Sequence, residues 1–425
     1  MASPYRALFA VPGTLGFSAA GLLGRMPLAM MGVGVLTMIT ELTGRYGLAG
    51  LLTGTLALSA AVLGPQVSRL VDRYGQRRVL RPATLVSVVA AGALLICAEK
   101  GLPDWTLFVC TAGAGCVPSL GAMTRARWAE IHRGRPQELH TAYSLESIVD
   151  EVCFIVGPPL SIGLSTMWFP AAGPLLAALF LLVGVWWLTA QRATEPAPHP
   201  VGTHAGARTS ALRSPGLQVL VAAFVATGAV FGGVDVVTVA FAEEQGHKTA
   251  SSLVLAVYAA GSCLAGAVFG TMRPKGAPAR RWLLGVIAMS VSMIPLQLAG
   301  NLPLLAVALF VAGLAIAPTM VTTMALVEAH VPRGQLTEGM TWTGTGLAVG
   351  VALGTSTSGW VVAEHGASVG YAVPGVAGVL AAVVAFLGYR RLTQPVPTRE
   401  GQREQQDPEQ SERPERLERS GRSEQ

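Results

Sequence analysis

Five ionisable side chains lie inside long apolar stretches of the sequence. They are Arg25, Glu146, Asp150, Glu151 and Asp235. A charge surrounded by hydrocarbon is costly, so such residues usually face a protein interior or water and pair with one another or handle ions. The chemistry these residues indicate is ion pairing, or the reversible binding of a proton or another cation.

The stretches that hold these residues are long enough to cross a membrane. Of the 425 residues, 51% are apolar and only 13% are charged, about half the charged fraction of an ordinary soluble domain. We count twelve spans, each near the ~20 residues that cross a bilayer. Their predicted limits are 14–40, 47–68, 79–98, 105–126, 142–165, 172–190, 216–241, 251–271, 282–299, 303–325, 338–362 and 368–389. We therefore predict an all-α polytopic membrane protein, because the alternating pattern of a membrane β-barrel is absent.

Basic residues in the connections predict the orientation of the spans. Seventeen lie in the connections 2–3, 4–5, 6–7, 8–9 and 10–11, against three on the opposite side. Basic loops remain in the cytoplasm, so we expect both termini to be cytoplasmic and the protein to lie in the plasma (inner) membrane. The first apolar run is interpreted as a retained helix and not as a signal peptide.

The spans divide into two groups of six. The segment 191–215 is rich in Pro, Ala, Gly and Thr, and we interpret it as a linker. "EIHRGRPQ" at 130–137 and "EAHVPRGQ" at 328–335 share four identities at one offset, and parallel repeats of six helices indicate a transporter architecture. The predicted division of the chain is a cytoplasmic N-terminus 1–13, a first bundle 14–190, a cytoplasmic linker 191–215, a second bundle 216–392 and a disordered cytoplasmic tail 393–425.

The connection between spans 2 and 3 carries the most specific motif. "SRLVDRYGQRR" resembles motif A of the major facilitator superfamily and contains Asp72, Arg73, Gly75, Arg77 and Arg78 in register. The first glycine of the motif is replaced by a serine, and one basic position by a glutamine. The resemblance, which extends over about residues 10–392 through the topology, implies two pseudo-symmetric six-helix halves and membrane transport.

The resemblance also implies a role for this loop. In the family, motif A acts as a latch that holds the halves together when the protein opens outward. Asp72 would then lie near the start of span 11, around residues 338–341. The alternative is that the arginines only anchor the helix ends and set the topology.

A second resemblance lies in span 5. "VGPPLSIG" is similar to motif C of the antiporter branch, with Gly157 and Pro158 as its central pair. It implies export, although the prolines could simply kink the helix. Span 4 lacks the motif B arginine of proton-coupled exporters, since no charge occurs before Arg125, which leaves the usual site of proton coupling in question.

The depth of the charges predicts an ion pair in the first half. Arg25 lies 11 residues into span 1, roughly 16 Å at the helical rise. If span 5 begins near residue 142, Asp150 and Glu151 lie about 12–14 Å deep. We therefore expect Arg25 to pair with Asp150 or Glu151, with Glu151 favoured by depth, and Glu146 to meet Arg125 or Arg127. The pair either holds the helices together or takes part in binding.

Further predictions concern a central cavity. By resemblance, spans 1, 4, 7 and 10 line it, which makes Asp235 in span 7 the first candidate for a proton or cation site; the alternative is a residue near the outer end of its helix. Met26 and Met30 could line the cavity with adaptable apolar surface, although a Met stripe is more often ordinary packing. Thr322 and Trp342 are the other cavity candidates.

These features favour one functional class. The leading hypothesis is a secondary transporter that exports a small, lipophilic compound or metabolite by alternating access in exchange for protons. The alternatives are a proton-coupled solute importer and a non-transporting membrane receptor. No catalytic cluster or phosphate-binding loop occurs in the sequence, so we predict neither an enzyme nor ATP-driven transport. We expect no cofactor and no metal, and as partners a small-molecule substrate, protons and the lipid bilayer, without nucleic acid. The expected oligomeric state is a monomer.

Overall fold

The computed structural model describes residues 4–198, 210–247 and 249–393, and the secondary structure of these residues is helical. Eleven helical segments of this part of the chain are long and apolar enough to cross a membrane. They are Thr14–Thr43 (span 1), Tyr46–Tyr74 (span 2), Gln76–Glu99 (span 3), Pro136–Met167 (span 5), Ala172–Ala190 (span 6), Pro215–Glu244 (span 7), Ala250–Phe269 (span 8), Pro278–Gln297 (span 9), Leu302–His330 (span 10), Arg333–His365 (span 11) and Ala367–Leu392 (span 12).

Span 4 is the twelfth crossing and is broken in its middle. It consists of Asp104–Ala114 and Leu120–Ile131, joined by "GCVPS". Pro118 lacks a backbone N–H and disfavours the helical conformation of the residue before it, which accounts for the break. Short helices Pro4–Leu8, Arg192–Thr194 and Ala211–Arg213 lie outside the spans. The predicted all-α fold is confirmed.

The start of span 5 differs from the prediction. The helix begins at Pro136, six residues before the predicted limit of 142, because proline is well suited to the first helical position. The polar segment "PQELHTAYS" is therefore helical, although its composition resembles a loop. Glu146, Asp150 and Glu151 therefore lie six residues further from the start of their helix than we predicted.

Small residues allow the helices to approach closely within each half. A Cβ atom on Gly350 of span 11 would lie 1.9 Å from the carbonyl oxygen of Val225 in span 7. Likewise, a Cβ on Gly184 of span 6 would lie 2.4 Å from the Cα of Gly24 in span 1. Such contacts are typical of membrane helices that associate through close packing.

Three buried apolar clusters show how the halves meet. One contains residues of the first half alone, for example Met30 and Leu52, and a second contains residues of the second half alone, such as Leu305. The third combines both halves, with Trp128 and Trp282 among its members. This shared cluster lies at the face that carries the connections 2–3, 4–5, 6–7, 8–9 and 10–11, called here the arginine-rich face.

Candidate functional site

A network of hydrogen-bonded charges joins spans 1, 4 and 5. Arg25 is buried, forms an ion pair with Glu146, and donates from Nη1 to Asp150 Oδ1 over 2.7 Å. Thr124 Oγ1 accepts from Arg25 Nη2 at 2.6 Å. The Glu146 carboxylate is also bonded by Thr124 Oγ1 and by Trp128 Nε1, each at 2.7 Å. Every oxygen of this buried carboxylate thus has a donor, as a buried charge requires.

Asp150 connects this pair to a second arginine. Its Oδ2 accepts from Arg125 Nη2 at 2.6 Å, while its Oδ1 is held by Arg25. The network of Arg25, Arg125, Glu146 and Asp150 therefore contains two positive and two negative charges. We conclude that it is electrically balanced without a bound ion.

The predicted pairing of Arg25 with Asp150 is confirmed, but two other details of the prediction are wrong. Glu146 meets Arg25, not Arg125 or Arg127, because span 5 begins at Pro136. Glu146 then lies ten residues into its helix, about 15 Å deep and level with Arg25. Arg127 instead donates to Gln76 Oε1 over 2.8 Å.

Glu151 turns away from Arg25 altogether. One residue advances a helix by about 100°, so Glu151 and Asp150 point in different directions. Ser262 of span 8 donates to Glu151 Oε1 over 2.5 Å, across the boundary between the halves. The predicted preference of Arg25 for Glu151 is therefore wrong.

Asp235 lies within span 7, nine residues before its last residue, Glu244. The residue is exposed and has no hydrogen bond or ion pair to another residue in the part of the chain that the structure describes. The phenol of Tyr258 on span 8 lies one helical turn before Ser262, the residue that binds Glu151. Its oxygen is buried and makes no hydrogen bond to the described residues. Tyr258 and the contact between Glu151 and Ser262 therefore share span 8, whereas Asp235 lies on span 7 without a partner among the described residues.

The motif between spans 2 and 3 meets the second half directly. Asp72 Oδ2 accepts from the backbone N–H of Glu338 at 2.9 Å, and Oδ1 from that of Thr337 at 3.3 Å. These are first-turn N–H groups of the helix Leu336–His365, where a carboxylate is favourable. A second contact lies one turn before Asp72 on span 2 and about one turn after Glu338 on span 11, where the hydroxyls of Ser68 and Thr341 are 2.8 Å apart. This is the position that the family resemblance implies for Asp72.

The remaining motif residues shape and border this contact. Gly75 has φ +92°, a conformation that other residues rarely adopt. The backbone N–H of Arg77 donates to Glu195 Oε1 over 2.9 Å. The connection that follows span 6 therefore caps the first turn of span 3. Arg73 and Arg78 are exposed.

The motif in span 5 is a packing site in this structure. A Cβ on Gly157 would lie 2.9 Å from the Cβ of Ala29, so spans 5 and 1 touch there. The helix continues through Pro158. Ser161 then donates to the carbonyl oxygen of Met30 over 3.0 Å.

The structure does not support the predicted set of cavity residues. Met26 and Met30 are buried inside the first half among apolar side chains. Thr322 is buried too and donates to the carbonyl oxygen of Pro318 in its own helix. Trp342 lies at the arginine-rich end of span 11, where its indole donates to Glu338 Oε1 over 3.3 Å. Apolar periodicity could not separate packed faces from open ones, because both are apolar in a membrane protein.

The hydrogen bonds between described residues of the two halves extend from the arginine-rich face to the middle of the membrane. His140 and Thr141 of span 5 each donate over 2.8 Å to the carbonyl oxygens of Phe269 and Gly270 at the end of span 8. Tyr5 donates to the carbonyl oxygen of Ala267 over 2.9 Å, and burial raises its pKa to about 12. The contact between Glu151 and Ser262 is the deepest of this series. The halves therefore meet at the arginine-rich face, and Glu151 lies at the inner limit of that contact.

Sequence reasoning missed the neutral polar members of the site. Tyr258 and Ser262 are four residues apart in an apolar span, and this helical spacing of two hydroxyls was the available signal. Within the described residues, no group of three or more His, Cys, Asp or Glu side chains could hold a metal ion.

Comparison with known proteins identifies the fold and the family. The sequence profile of the Major Facilitator Superfamily matches residues 17–297 and 278–422. A search of the curated proteins finds no sequence match. Several solved structures share the fold at low sequence identity.

A bacterial homologue of the iron transporter ferroportin in the outward-facing state has a TM-score of 0.72 at 15% identity, covering 89% of this chain and 100% of its own. The human organic anion transporter MFSD10 (TETRAN) has a TM-score of 0.66 at 14% identity, covering 90% and 100%. The transporter FucP in the outward conformation has a TM-score of 0.64 at 12% identity, covering 88% and 98%. The chain belongs to the Major Facilitator Superfamily and is a membrane transporter, not an enzyme.

Proposed function

We propose that this protein is a secondary active transporter that exports a small, lipophilic compound by alternating access in exchange for protons. The observation that carries the proposal is the position of the contacts between the halves. They lie at the arginine-rich face and end at Glu151 in the middle of the membrane. A transporter whose halves are joined at one face is in one of the two states that alternating access requires.

The contact at Asp72 is suited to opening and closing. Its two acceptor bonds end on backbone N–H groups of the other half, so separation of spans 2 and 11 exposes both partners to water. An interaction of this kind contributes modestly to stability, about 1.5–3 kcal/mol for a hydrogen bond to a charged group. We infer that Asp72 stabilises the state that is closed at the arginine-rich face.

We assign proton coupling to Asp235 and Glu151. Neither has a cationic partner among the described residues, whereas Glu146 and Asp150 are neutralised by arginines. A carboxylate without a cation at membrane depth can exchange a proton with whichever face it is open to. The neutralised network, by contrast, is assigned a structural role.

Orientation and direction complete the proposal. By the distribution of basic residues, the arginine-rich face is cytoplasmic, and both termini lie there in the plasma (inner) membrane. The state closed at that face is then open to the outside. Export is supported by the similarity of Gly157 and Pro158 to motif C. We also propose that the chain is divided into two six-helix bundles, residues 14–190 and 216–392.

The test is flux across sealed proteoliposomes of known protein orientation under an imposed pH gradient, with a panel of drugs and metabolites. We expect substrate to move from the arginine-rich face to the opposite face against its gradient, while protons move the other way. Accumulation driven by the opposite sign of the gradient would instead identify a proton-coupled importer. Binding without any flux would identify a receptor.

A further inference from the structure

The short helix Pro4–Leu8 precedes span 1 and lies at the arginine-rich face. Tyr5 and Leu8 are three residues apart, so they share one side of this helix. That side is turned toward the protein, since Leu8 is buried and Tyr5 half-buried, whereas Arg6 and Ala7 are exposed. The helix therefore presents two side chains to the rest of the structure, and these two contact different halves.

Leu8 and its neighbours fix the short helix to the first half. Leu8 is only 2% exposed, and the ring of Phe9 packs edge-on against Trp128 of span 4 with 6.4 Å between the ring centroids. The hydroxyl of Thr14, the first residue of span 1, donates to the carbonyl oxygens of Leu8 at 3.0 Å and Val11 at 2.7 Å. These contacts hold the segment before span 1 in place, so it moves with the first half.

Tyr5 reaches from this helix to the second half. Its hydroxyl lies 2.9 Å from the carbonyl oxygen of Ala267 and 3.1 Å from that of Gly266, at the end of span 8. The last carbonyl groups of a helix lack donors within the helix, and a side-chain hydroxyl can supply one. A Cβ on Gly270 would lie 2.1 Å from the hydroxyl oxygen of Tyr5. The glycine at position 270 therefore leaves the space that this hydroxyl occupies.

The same end of span 8 also receives donors from span 5. The side chains of Gln137, His140 and Thr141 donate to the carbonyl oxygens of Met272, Phe269 and Gly270, respectively, over 2.7–2.8 Å. Two separate segments of the first half thus hold the end of span 8, one being span 5 and the other the helix that carries Tyr5. Neither contact uses spans 2 and 11, which are joined by Asp72.

We propose that Tyr5 is a positioning residue for alternating access, which holds the end of span 8 from a short helix fixed to the first half. The inference rests on the proposed function and adds a second contact that stabilises the state closed at the arginine-rich face. When the halves separate at that face, the Tyr5 hydroxyl must leave the carbonyl groups of span 8. The hydrogen bond therefore favours the closed state alone and does not favour the state open at this face.

The experiment uses the purified full chain in lipid nanodiscs, in a background without native cysteines. Spin labels at Arg135 and Met272, both exposed, report the distance between spans 5 and 8 at the arginine-rich face. In Tyr5→Phe, which keeps the ring and removes the hydroxyl, the ratio of long-distance to short-distance molecules should rise about three- to tenfold, as the loss of one neutral hydrogen bond implies. The matched control is Tyr46→Phe, because Tyr46 is 75% exposed and begins span 2 at the opposite face. This control should keep the parental ratio.

A second readout uses the reactivity of a buried position in the same contact. Ser144 of span 5 is fully buried, and a Cβ on Gly270 would lie 2.7 Å from its Cβ. In Ser144→Cys, a water-soluble thiol reagent reaches this position only when the halves separate, so Tyr5→Phe should raise the labelling rate by the same factor as the distance ratio. A lower Tm in Tyr5→Phe with the parental ratio and labelling rate would show a merely structural role and overturn the inference. Parental values in all three measurements would overturn it as well.

The double variant of Tyr5→Phe with Asp72→Asn tests whether the two contacts are independent. They share no residue, so the increases in the ratio should multiply. A double variant that is no more open than Asp72→Asn alone would overturn the inference, because Tyr5 would then add nothing to the closed state.

Failure of this inference is distinguishable from failure of the proposed function. If the parent exports a compound from proteoliposomes under a pH gradient and Tyr5→Phe leaves the ratio and the labelling rate unchanged, transport stands and the role of Tyr5 falls. If Tyr5→Phe raises both but no compound crosses the membrane in the parent, Tyr5 holds the closed state and transport falls.

Discussion

Asp72 Oδ2 lies 2.9 Å from the backbone nitrogen of Glu338, so a carboxylate of one half caps a helix of the other. The capped N–H groups belong to the first turn of span 11, where the partial positive charge of the helix favours an acceptor that is negative. The same turn is tied to the residues before span 7, because Ser210 donates to Glu338 Oε1 over 2.5 Å. Span 2, span 11 and the segment before span 7 therefore meet at this one point.

The first prediction concerns this cap. Asp72→Asn keeps the shape of the side chain but removes its charge, so it should weaken the closed arginine-rich face and slow transport without preventing folding. Transport should be measured at equal membrane abundance, with Asp104→Asn as the control, since Asp104 pairs with Arg45 in an exposed position at the opposite face. Equal transport by Asp72→Asn and the parent would remove Asp72 from the mechanism.

The second prediction concerns the buried pair of Arg25 and Glu146. Removing one partner leaves an uncompensated buried charge, which costs about 3–5 kcal/mol, whereas removing both is tolerated better. We expect Arg25→Met to lower the Tm markedly, and the double change of Arg25→Met with Glu146→Leu to recover a large part of the loss. The reversed pair, Arg25→Glu with Glu146→Arg, should recover part of it as well. Strictly additive losses would show that the two residues do not interact.

The third prediction concerns proton coupling at Asp235. Asp235→Asn should lose uphill flux driven by a pH gradient, because the amide cannot take up and release a proton. Exchange of labelled for unlabelled substrate requires no net proton movement and should persist at a saturating substrate concentration. Uphill flux that persists with the parental pH dependence would assign Asp235 a structural role.

The fourth prediction concerns the packing of spans 7 and 11. Gly350→Ala introduces a Cβ 1.9 Å from a backbone oxygen, and overpacking of this kind typically costs about 1–3 kcal/mol. Gly344→Ala and Gly359→Ala are matched controls on the same span, because a Cβ at either position meets nothing within 4 Å. We expect a lower Tm for Gly350→Ala alone. A Tm equal to that of the controls would contradict the close packing of these helices.

The twelve crossings were accessible from the sequence because apolar length alone identifies a membrane span. The location of Asp72 followed from a motif whose residues have a known partner in the family. Asp150, one of the two partners predicted for Arg25, followed from depth. The other partner, Glu146, did not, since depth was measured from a helix start that proved to be six residues off. The contact between Glu151 and Ser262 depends on how spans 5 and 8 pack, which no pattern within either span specifies.

Alternating access is tested most directly by two distances between spans 5 and 8, one at each face. In a background without native cysteines, spin labels at Arg135 and Met272 report the arginine-rich face, and labels at Met167 and Leu253 report the opposite face; all four positions are exposed. In the parent we predict a short distance at the arginine-rich face and a long distance at the opposite face. We also predict a second population of molecules, in which the distance at the arginine-rich face is longer and the distance at the opposite face is shorter. This population should grow in Asp72→Asn. Two distances that stay fixed under every pH and ligand condition, or that lengthen together, would contradict alternating access.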